Sequence, residues 1–342
     1  MNNSAPSYGL DPGDSRIRAI LDAIESSTVG KRSVAELLVC ALIAGGHVLL
    51  EDIPGIGKTL VVKTLAAVTG LGFSRIQCTP DLLASDILGT SVFHPQKGEF
   101  QFHPGPVFSN LILVDEINRA SPRSQSALLE AMEELQVTVD GRTYRLEEPF
   151  VVLATENPLD AEDAFPLPSS QVDRFLFRLS IGYPSPEEEV EILRQAPLTP
   201  NVAGAGEKGR EEGRGAVIGR EAVIGRGAVI DRQGLLALRA ESGRVHVSDR
   251  LLRYLAEVLR MTRSDPRVLM GASPRAGALW IRAAQAWAMM QGRAYVVPDD
   301  IRRLAIPVLE HRLRTRTGHE PKEVIEDVLA SVAVPTGDGR RP

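Results

Sequence analysis

The stretch EDIPGIGKT, Glu51 to Thr59, follows the apolar run His47-Val48-Leu49-Leu50 and precedes a helical pattern from Leu60 to Val68. A strand, a glycine-rich turn and a helix start form the context in which a phosphate loop works. Gly55 and Gly57 let the backbone fold into a concave nest whose N–H groups point at phosphate oxygens. The helix N-terminus adds partial positive charge to that nest. Lys58 can then reach the β/γ-phosphates of a nucleoside triphosphate, and the Thr59 hydroxyl can take a place on Mg²⁺. One position departs from the usual pattern: Asp52 stands where a glycine ordinarily opens the loop. A chance Gly-Lys-Thr is the competing reading, and the strand–helix context weighs against it.

A second apolar run, Asn110 to Val114, ends in Asp115-Glu116. A carboxylate at the C-terminal end of a parallel strand sits in the crevice beside such a loop. Asp115 can hold Mg²⁺ and Glu116 can polarise an attacking water. Read alone, the pair could simply cap the next helical stretch, Pro122 to Gln136. A third run, Phe150 to Ala154, leads into Thr155-Glu156-Asn157-Pro158, whose Asn157 amide could bond the γ-phosphate or the lytic water. As an isolated residue, Asn before Pro is a turn former.

Taken together, these segments resemble the MoxR-family ATPases of the AAA+ superfamily, in the helix-2-insert clade that also holds magnesium-chelatase motor subunits. The resemblance rests on TVGKRSVAELLVCALIAGGHVLLEDIPGIGKT, RIQCTPDLLASDILGT, HPGPVFSNLILVDEINRASPRSQSALLEAMEE, LATENP, FPLPSSQVDRF and GASPRA, in that order over roughly residues 16 to 335. Asp52 fits this family, whose loop commonly lacks the first glycine. The resemblance implies an α/β fold: an AAA+ P-loop core with a parallel sheet flanked by helices, plus a C-terminal all-α lid. It implies that Pro54, Gly55, Ile56, Gly57, Lys58, Thr59 and Leu60 form Walker A, and that Asp115 and Glu116 form Walker B. Asn157 matches sensor 1, Arg174 the arginine finger that reaches a neighbouring subunit's nucleotide, and Arg275 sensor 2 on the lid. Val29 and Gly30 lie where such proteins pack backbone against adenine. Without the family, Arg174 reads as a solvated helix-end arginine. Arg275 reads as a salt-bridge partner early in a helix, where an arginine opposes the dipole and an anion nearby is expected.

Composition agrees with a reduced, cytoplasmic enzyme. The 342 residues suggest two domains, and 43% apolar content suffices for ordinary cores. A net charge of −5 and a pI near 5.8 argue against general affinity for nucleic acid or an anionic membrane. Cys40 and Cys78, the only cysteines, match no metal spacing and read as packing residues. No apolar run is long enough to span a bilayer. The polar start, MNNSAPSYGLDPGDS, reads as a tail and not as a signal peptide.

Punctuation divides the chain into a tail (1–15), an α/β nucleotide-binding core (16–184), a helix, linker and repeat insert (185–233), a helical lid (234–335) and a second tail (336–342). Two hairpin patterns interrupt the core, Val92 to His103 and Val137 to Glu148, the second turning at Asp140-Gly141. In the resembled clade they correspond to the helix-2 insert and the hairpin before sensor 1, which line the pore or top of a ring. They read equally well as ordinary surface hairpins. A helix runs from Pro186 to about Gln195, and hexapeptide repeats follow: GAVIGR at 215–220, EAVIGR at 221–226 and GAVIDR at 227–232. These read as an expanded linker tolerated on the surface. In the lid, Leu251, Leu252, Leu255, Val258 and Leu259 form one apolar stripe. Ala278, Ile281, Ala284, Gln285 and Ala288 form another beside Trp280 and Trp287. A helix start is expected at Pro298 to Asp300, and Arg312, Arg314 and Arg316 read as a solvated face. The lid is expected to bring Arg275 to the nucleotide cleft.

The resulting expectation is an Mg²⁺-dependent, ATP-hydrolysing homo-oligomer, a hexameric ring that remodels a protein partner, often one carrying a von Willebrand factor A domain. Two alternatives remain open. A nucleic-acid motor of the same clade is disfavoured by the acidic charge, so no stable nucleic-acid binding is expected. A non-turnover nucleotide switch could dispense with Glu116.

Overall fold

The apolar run at His47 becomes strand β1 (His47–Glu51), inside a sheet whose other members are β2 (Phe73–Gln77), β5 (Leu111–Asp115), β8 (Val151–Glu156) and β9 (Phe175–Leu179). The intervening short helix α4 (Ala84–Leu88) and the strands β3 (Gly89–His94), β4 (Glu99–Pro104), β6 (Gln136–Val139) and β7 (Arg142–Arg145) lie outside it. The computed structural model describes residues 14–26, 31–51, 57–157, 165–195 and 228–335. The sheet order is β2-β5-β8-β1-β9, parallel throughout. Strand side chains alternate between faces, so each strand feeds two cores. Leu49, Ile112, Val114, Val152 and Ala154 pack with Leu128, Leu129 and Met132 of α5 (Pro122–Glu134). Val48, Leu50, Leu111, Leu113 and Leu153 face the opposite way, toward α1 (Ser15–Glu25), α2 (Arg32–Ala44) and α3 (Lys58–Thr69). With both faces covered, the strands need the near-continuous apolar runs seen in the sequence.

Helix α5 stops two residues short of the expected Gln136. Leu135 adopts φ 50° and Gln136 opens β6, because that hairpin recruits the end of the helical pattern. Its turn, Asp140 (φ 50°) and Gly141 (φ 73°), has the paired positive φ of a type I′ connection. The first hairpin spans Gly89 to Pro104, wider than Val92 to His103. Its base requires glycine: Gly89 has φ +101°, and a Cβ there would lie 2.3 Å from the His103 carbonyl oxygen. The two hairpins are not independent. Phe102 stacks on Tyr144 at 4.2 Å between ring centroids, and Phe108 meets both edge-on.

Beyond α6 (Ser169–Val172) and α7 (Pro186–Gln195) comes a helical unit of α8 (Arg232–Ser242), α9 (Asp249–Ser264), α10 (Pro274–Met290), α11 (Pro298–Leu309) and α12 (Pro321–Ser331). A two-stranded ribbon, β10 (Val268–Met270) with β11 (Arg314–Thr315), accompanies it. Its apolar residues are continuous with those of α1, α2 and β9, so lid and sheet share one core. Cys40 on α2 is buried against the Ala283 carbonyl of α10, and Cys78 is also buried and free. Burial pushes both thiols up, Cys78 to about 12, in keeping with a packing role. Among the described residues no helix is long and apolar enough to cross a membrane.

Four expectations about this half need correction. Leu252 is exposed, and the α9 stripe is completed by Tyr254 and Thr262. The buried face of α10 centres on Trp280, Ala283, Ala284 and Trp287, while Ala278 is exposed, because the Trp280 Nε1 donates to the Ile301 carbonyl and sets the helix rotation. Arg312 is not solvated: it is 4% exposed, and its Nε donates to Asp173 Oδ1 at 2.7 Å. Arg314 and Arg316 are exposed as expected. Finally, most of the repeat lies outside the described residues, yet its last copy is not surface linker. Ile230 is buried, its N–H bonds the Val68 carbonyl, and Asp231 caps α8 by accepting from Gly234 N at 2.7 Å.

Candidate nucleotide site

Helix α3 begins at Lys58, directly after Gly57, whose φ of 91° turns the chain from the loop into the helix. That conformation suits glycine, and it aims the orphan N–H groups of the first helical turn back along the loop. Lys58, Thr59 and Leu60 are half-buried at this start. Val29, Gly30, Asp52, Pro54, Gly55 and Ile56 lie outside the described residues.

The strand register brings the other candidates to the same end of the sheet. Glu51 pairs with Glu156, and Val114 pairs with Ala154, so Asp115, the last residue of β5, lies level with Thr155 and one step from the end of β1 where the loop starts. Strand β8 intervenes between the loop strand and the Asp115 strand, so Asn157, buried at the tip of β8, stands between them. Asp115 is 9% exposed and bonds Arg75 Nε at 2.6 Å. Glu116 takes a left-handed conformation, φ 57°, uncommon for a residue with a side chain. Its N–H donates to Thr155 Oγ1 at 2.8 Å, which ties the turn to β8. Glu116 Oε2 accepts from Arg119 Nη1 at 2.9 Å and from Gln77 Nε2 at 3.3 Å. Arg75 and Gln77, themselves bonded at 3.2 Å, thus link the two carboxylates along β2. Sequence reasoning missed both. Their only signal was polar residues alternating along an otherwise ordinary strand. It also missed Arg178, which pairs with Glu51 near Glu156. Burial pushes the Glu156 carboxyl up, Arg178 opposes this, and Glu51 adds to it.

Arg174 and Arg275 sit at the other end of the sheet. Arg174 precedes Phe175, which pairs with His47 at the start of β1. From His47 to Glu51 is four strand steps, about 13 Å at the usual rise. Both arginines bond Glu133, at the end of α5, each at 2.8 Å. Arg275 thus stands away from the chain's own phosphate loop, because α10 starts beside the end of the sheet where β1 and β9 begin. There the two arginines border a cavity of about 520 Å³ together with Glu133, His47, Arg239 and Arg282. Burial lowers the Arg239 pKa to about 10, and burial followed by Arg275 lowers that of Arg282. Arg239 donates to the Leu42 carbonyl and Arg282 to that of Gly45, at the C-terminal end of α2 where cations are favoured.

Comparison with known proteins agrees with this geometry. Residues 47–177 match the ATPase family associated with various cellular activities (AAA), and residues 260–332 match the AAA lid domain. The chain is 42% identical to the uncharacterized protein YeaC of Bacillus subtilis, over 92% of this chain and 93% of that one. It is 40% identical to the chaperone MoxR1 of Mycobacterium tuberculosis, over 93% and 82% respectively. A crystal structure from Cytophaga hutchinsonii, described as a candidate ATPase, superposes with a TM-score of 0.82 at 36% identity, over 94% of this chain and 95% of that one. A five-stranded parallel sheet joined to a helical lid, with these matches along nearly its whole length, identifies the chain as a member of the MoxR family of AAA+ ATPases.

Proposed function

We propose that the chain hydrolyses ATP with Mg²⁺ as part of a ring, hexameric by analogy with its superfamily, and uses the turnover to remodel a protein partner. The working unit in this reading is a nucleotide-binding core of residues 16–184, joined through 185–233 to a lid of 234–335, acting in the cytoplasm. The observation that carries it is the strand register: Asp115 ends β5 and Asn157 follows β8 at the end where the phosphate loop starts, whereas Arg174 precedes β9 at the far end. An arginine there serves a nucleotide only if that nucleotide belongs to the next subunit.

In this reading Val29 and Gly30 pack on adenine, and residues Pro54 to Leu60 cradle the phosphates. The Lys58 ammonium offsets the β/γ charge. The Thr59 hydroxyl and the Asp115 carboxylate are hard oxygen donors, the set that suits Mg²⁺ shared with phosphate oxygens. Bound there, Mg²⁺ would neutralise charge developing on the phosphates. Glu116 takes a proton from water as the water oxygen attacks the γ-phosphorus, and the bond to the β–γ bridging oxygen breaks to release ADP and phosphate. Asn157 orients that water or the γ-phosphate. Arg174 and Arg275 of the neighbour offset the transition-state charge. Phe93 and Phe100, 50% and 68% exposed on the first hairpin, offer an apolar contact to a protein client such as one carrying a von Willebrand factor A domain.

Mixing two inactive variants tests this. Arg174→Ala keeps its own Lys58, Asp115 and Glu116, and Glu116→Gln keeps Arg174. One interface in the mixed ring then has a complete site, so activity should reappear and rise with protein concentration. A mixture that stays inactive while the two variants co-assemble on size exclusion refutes the shared site.

A further inference from the structure

Glu133 bridges two arginines contributed by distant parts of the chain: Oε2 lies 2.8 Å from Arg174 Nη2 and Oε1 lies 2.8 Å from Arg275 Nη1. Arg174 comes from the edge of the sheet just before β9, and Arg275 from the first turn of α10 in the lid. Two of these residues stand where their own helices do not favour them. Glu133 is in the last turn of α5, where the macrodipole opposes a carboxylate, and Arg275 is in the first turn of α10, where it opposes a cation. Each offsets the other's misfit, so local helix preference does not explain either residue. The surroundings are cationic as well. Arg239 and Arg282 line the same cavity, where Glu148 supplies the other carboxylate. Two guanidinium groups left side by side repel each other and splay apart. One carboxylate with an oxygen on each keeps them together, using one nitrogen of each fork. Arg174 Nε is buried without a hydrogen-bond partner, so the chain's own acceptors do not use the whole of this fork.

We infer that Glu133 is the positioning residue that holds Arg174 and Arg275 as one two-arginine unit aimed at the terminal phosphate of the neighbouring subunit's nucleotide. The inference rests on the proposed trans action of Arg174. It adds that core and lid must be locked together for the unit to form, since one arginine comes from each.

Glu133→Gln keeps the size of the side chain. Its amide oxygen can accept from one arginine, but its NH₂ faces the other donor to donor, so the pair opens. Glu133→Ala releases both. Steady-state ATP turnover, equilibrium nucleotide binding and size exclusion are measured for both, alone and added to an Arg174→Ala/Arg275→Ala variant. Turnover should fall on the order of 10- to 100-fold, the usual effect of misplacing a reacting group by about an ångström. ATP affinity and assembly should match wild type, and neither Glu133 variant should lower the residual rate of the double-arginine variant. Mixing Glu133→Gln with Glu116→Gln should restore activity. Unchanged or faster turnover overturns the inference. So does lost assembly or ATP affinity, or an additional loss on the double-arginine background. If Arg174→Ala is itself fully active, or is not rescued by Glu116→Gln, the trans reading has failed. If Arg174→Ala behaves as expected and only the Glu133 variants stay active, the positioning role alone has failed.

Discussion

Asp173 Oδ1 accepts a 2.7 Å hydrogen bond from Nε of Arg312, and the same guanidinium donates to the Asp173 and Leu176 carbonyls. Asp173 Oδ2 also accepts from the hydroxyl of Ser273, the N-cap of α10. One carboxylate therefore anchors the ribbon end of the lid and the start of the helix that carries Arg275. It sits one residue before Arg174. Desolvation lowers the Arg312 pKa and the Asp173 carboxylate opposes that shift. The carboxylate thus compensates a guanidinium taken out of water.

Asp173→Ala should consequently destabilise the protein by about 3 kcal/mol, the low end for breaking a buried pair because Asp173 keeps some water contact. Urea unfolding measures it, and turnover should fall as well because both arginines lose their mount. A stability change within error would mean that Arg312 finds other partners.

Lys58→Ala and Glu116→Gln should separate binding from turnover. Without Lys58 the phosphate charge goes unpaired, so nucleotide affinity itself is lost. The Glu116 amide keeps size but cannot take a proton, and positioned acid–base groups contribute ~10²–10⁴-fold. Equilibrium binding beside phosphate-release rates distinguishes the two, and normal turnover in Glu116→Gln would remove that residue from the chemistry.

Stability should fall in mild acid, partly through His47. Val152 N–H donates to its Nδ1 at 3.0 Å, and Nε2 faces the Met132 carbonyl at 3.2 Å, so the ring is neutral with its proton on Nε2. A proton on Nδ1 would point at the Val152 N–H. Burial lowers the pKa from 6.5 to about 4, with the Met132 carbonyl opposing. Between those values the unfolded chain binds more protons than the folded one. Stability is therefore complete above pH 6.5 and is lost as pH falls toward 4, by about 1.4 kcal/mol per unit for this residue. His311, whose pKa burial and Arg312 also lower, adds to the same trend. Denaturant titrations at pH 7 and pH 5 should show His47→Gln losing about 2 kcal/mol less than wild type over that interval. Parallel losses would assign the acid sensitivity elsewhere.

Replacing residues 196–227 with a short Gly/Ser bridge should leave melting temperature and basal ATPase nearly unchanged, since closure entropy changes by only about 0.6 kcal/mol per doubling of loop length. Extending the deletion through Asp231 should be costly, because it removes buried Ile230 and the cap of α8. Truncating a buried isoleucine alone costs about 2–5 kcal/mol. Equal melting curves for the two deletions would show that Ile230 carries little of the packing.

The sequence by itself marked three of the sheet strands, β1, β5 and β8, and the hairpin turning at Asp140-Gly141, and it named the loop after β1 and Asp115, Glu116 and Asn157 as candidates. Each of these is written in a contiguous run, because strand burial, turn conformation and a helix start depend on neighbours a few residues away. Tertiary structure alone decided which of these ends lie together and what else joins them. Arg75 and Gln77 reach the Asp115–Glu116 pair only through the β2–β5 register, and Arg312 is buried only because β9 and α11 pack beside it. Arg275 meets Glu133 across 142 residues of chain, at the end of the sheet away from its own phosphate loop. No local pattern encodes such a meeting. Charge and hydrogen-bonding capacity are visible in a residue's name, but the partner that satisfies them is set by how separate elements pack.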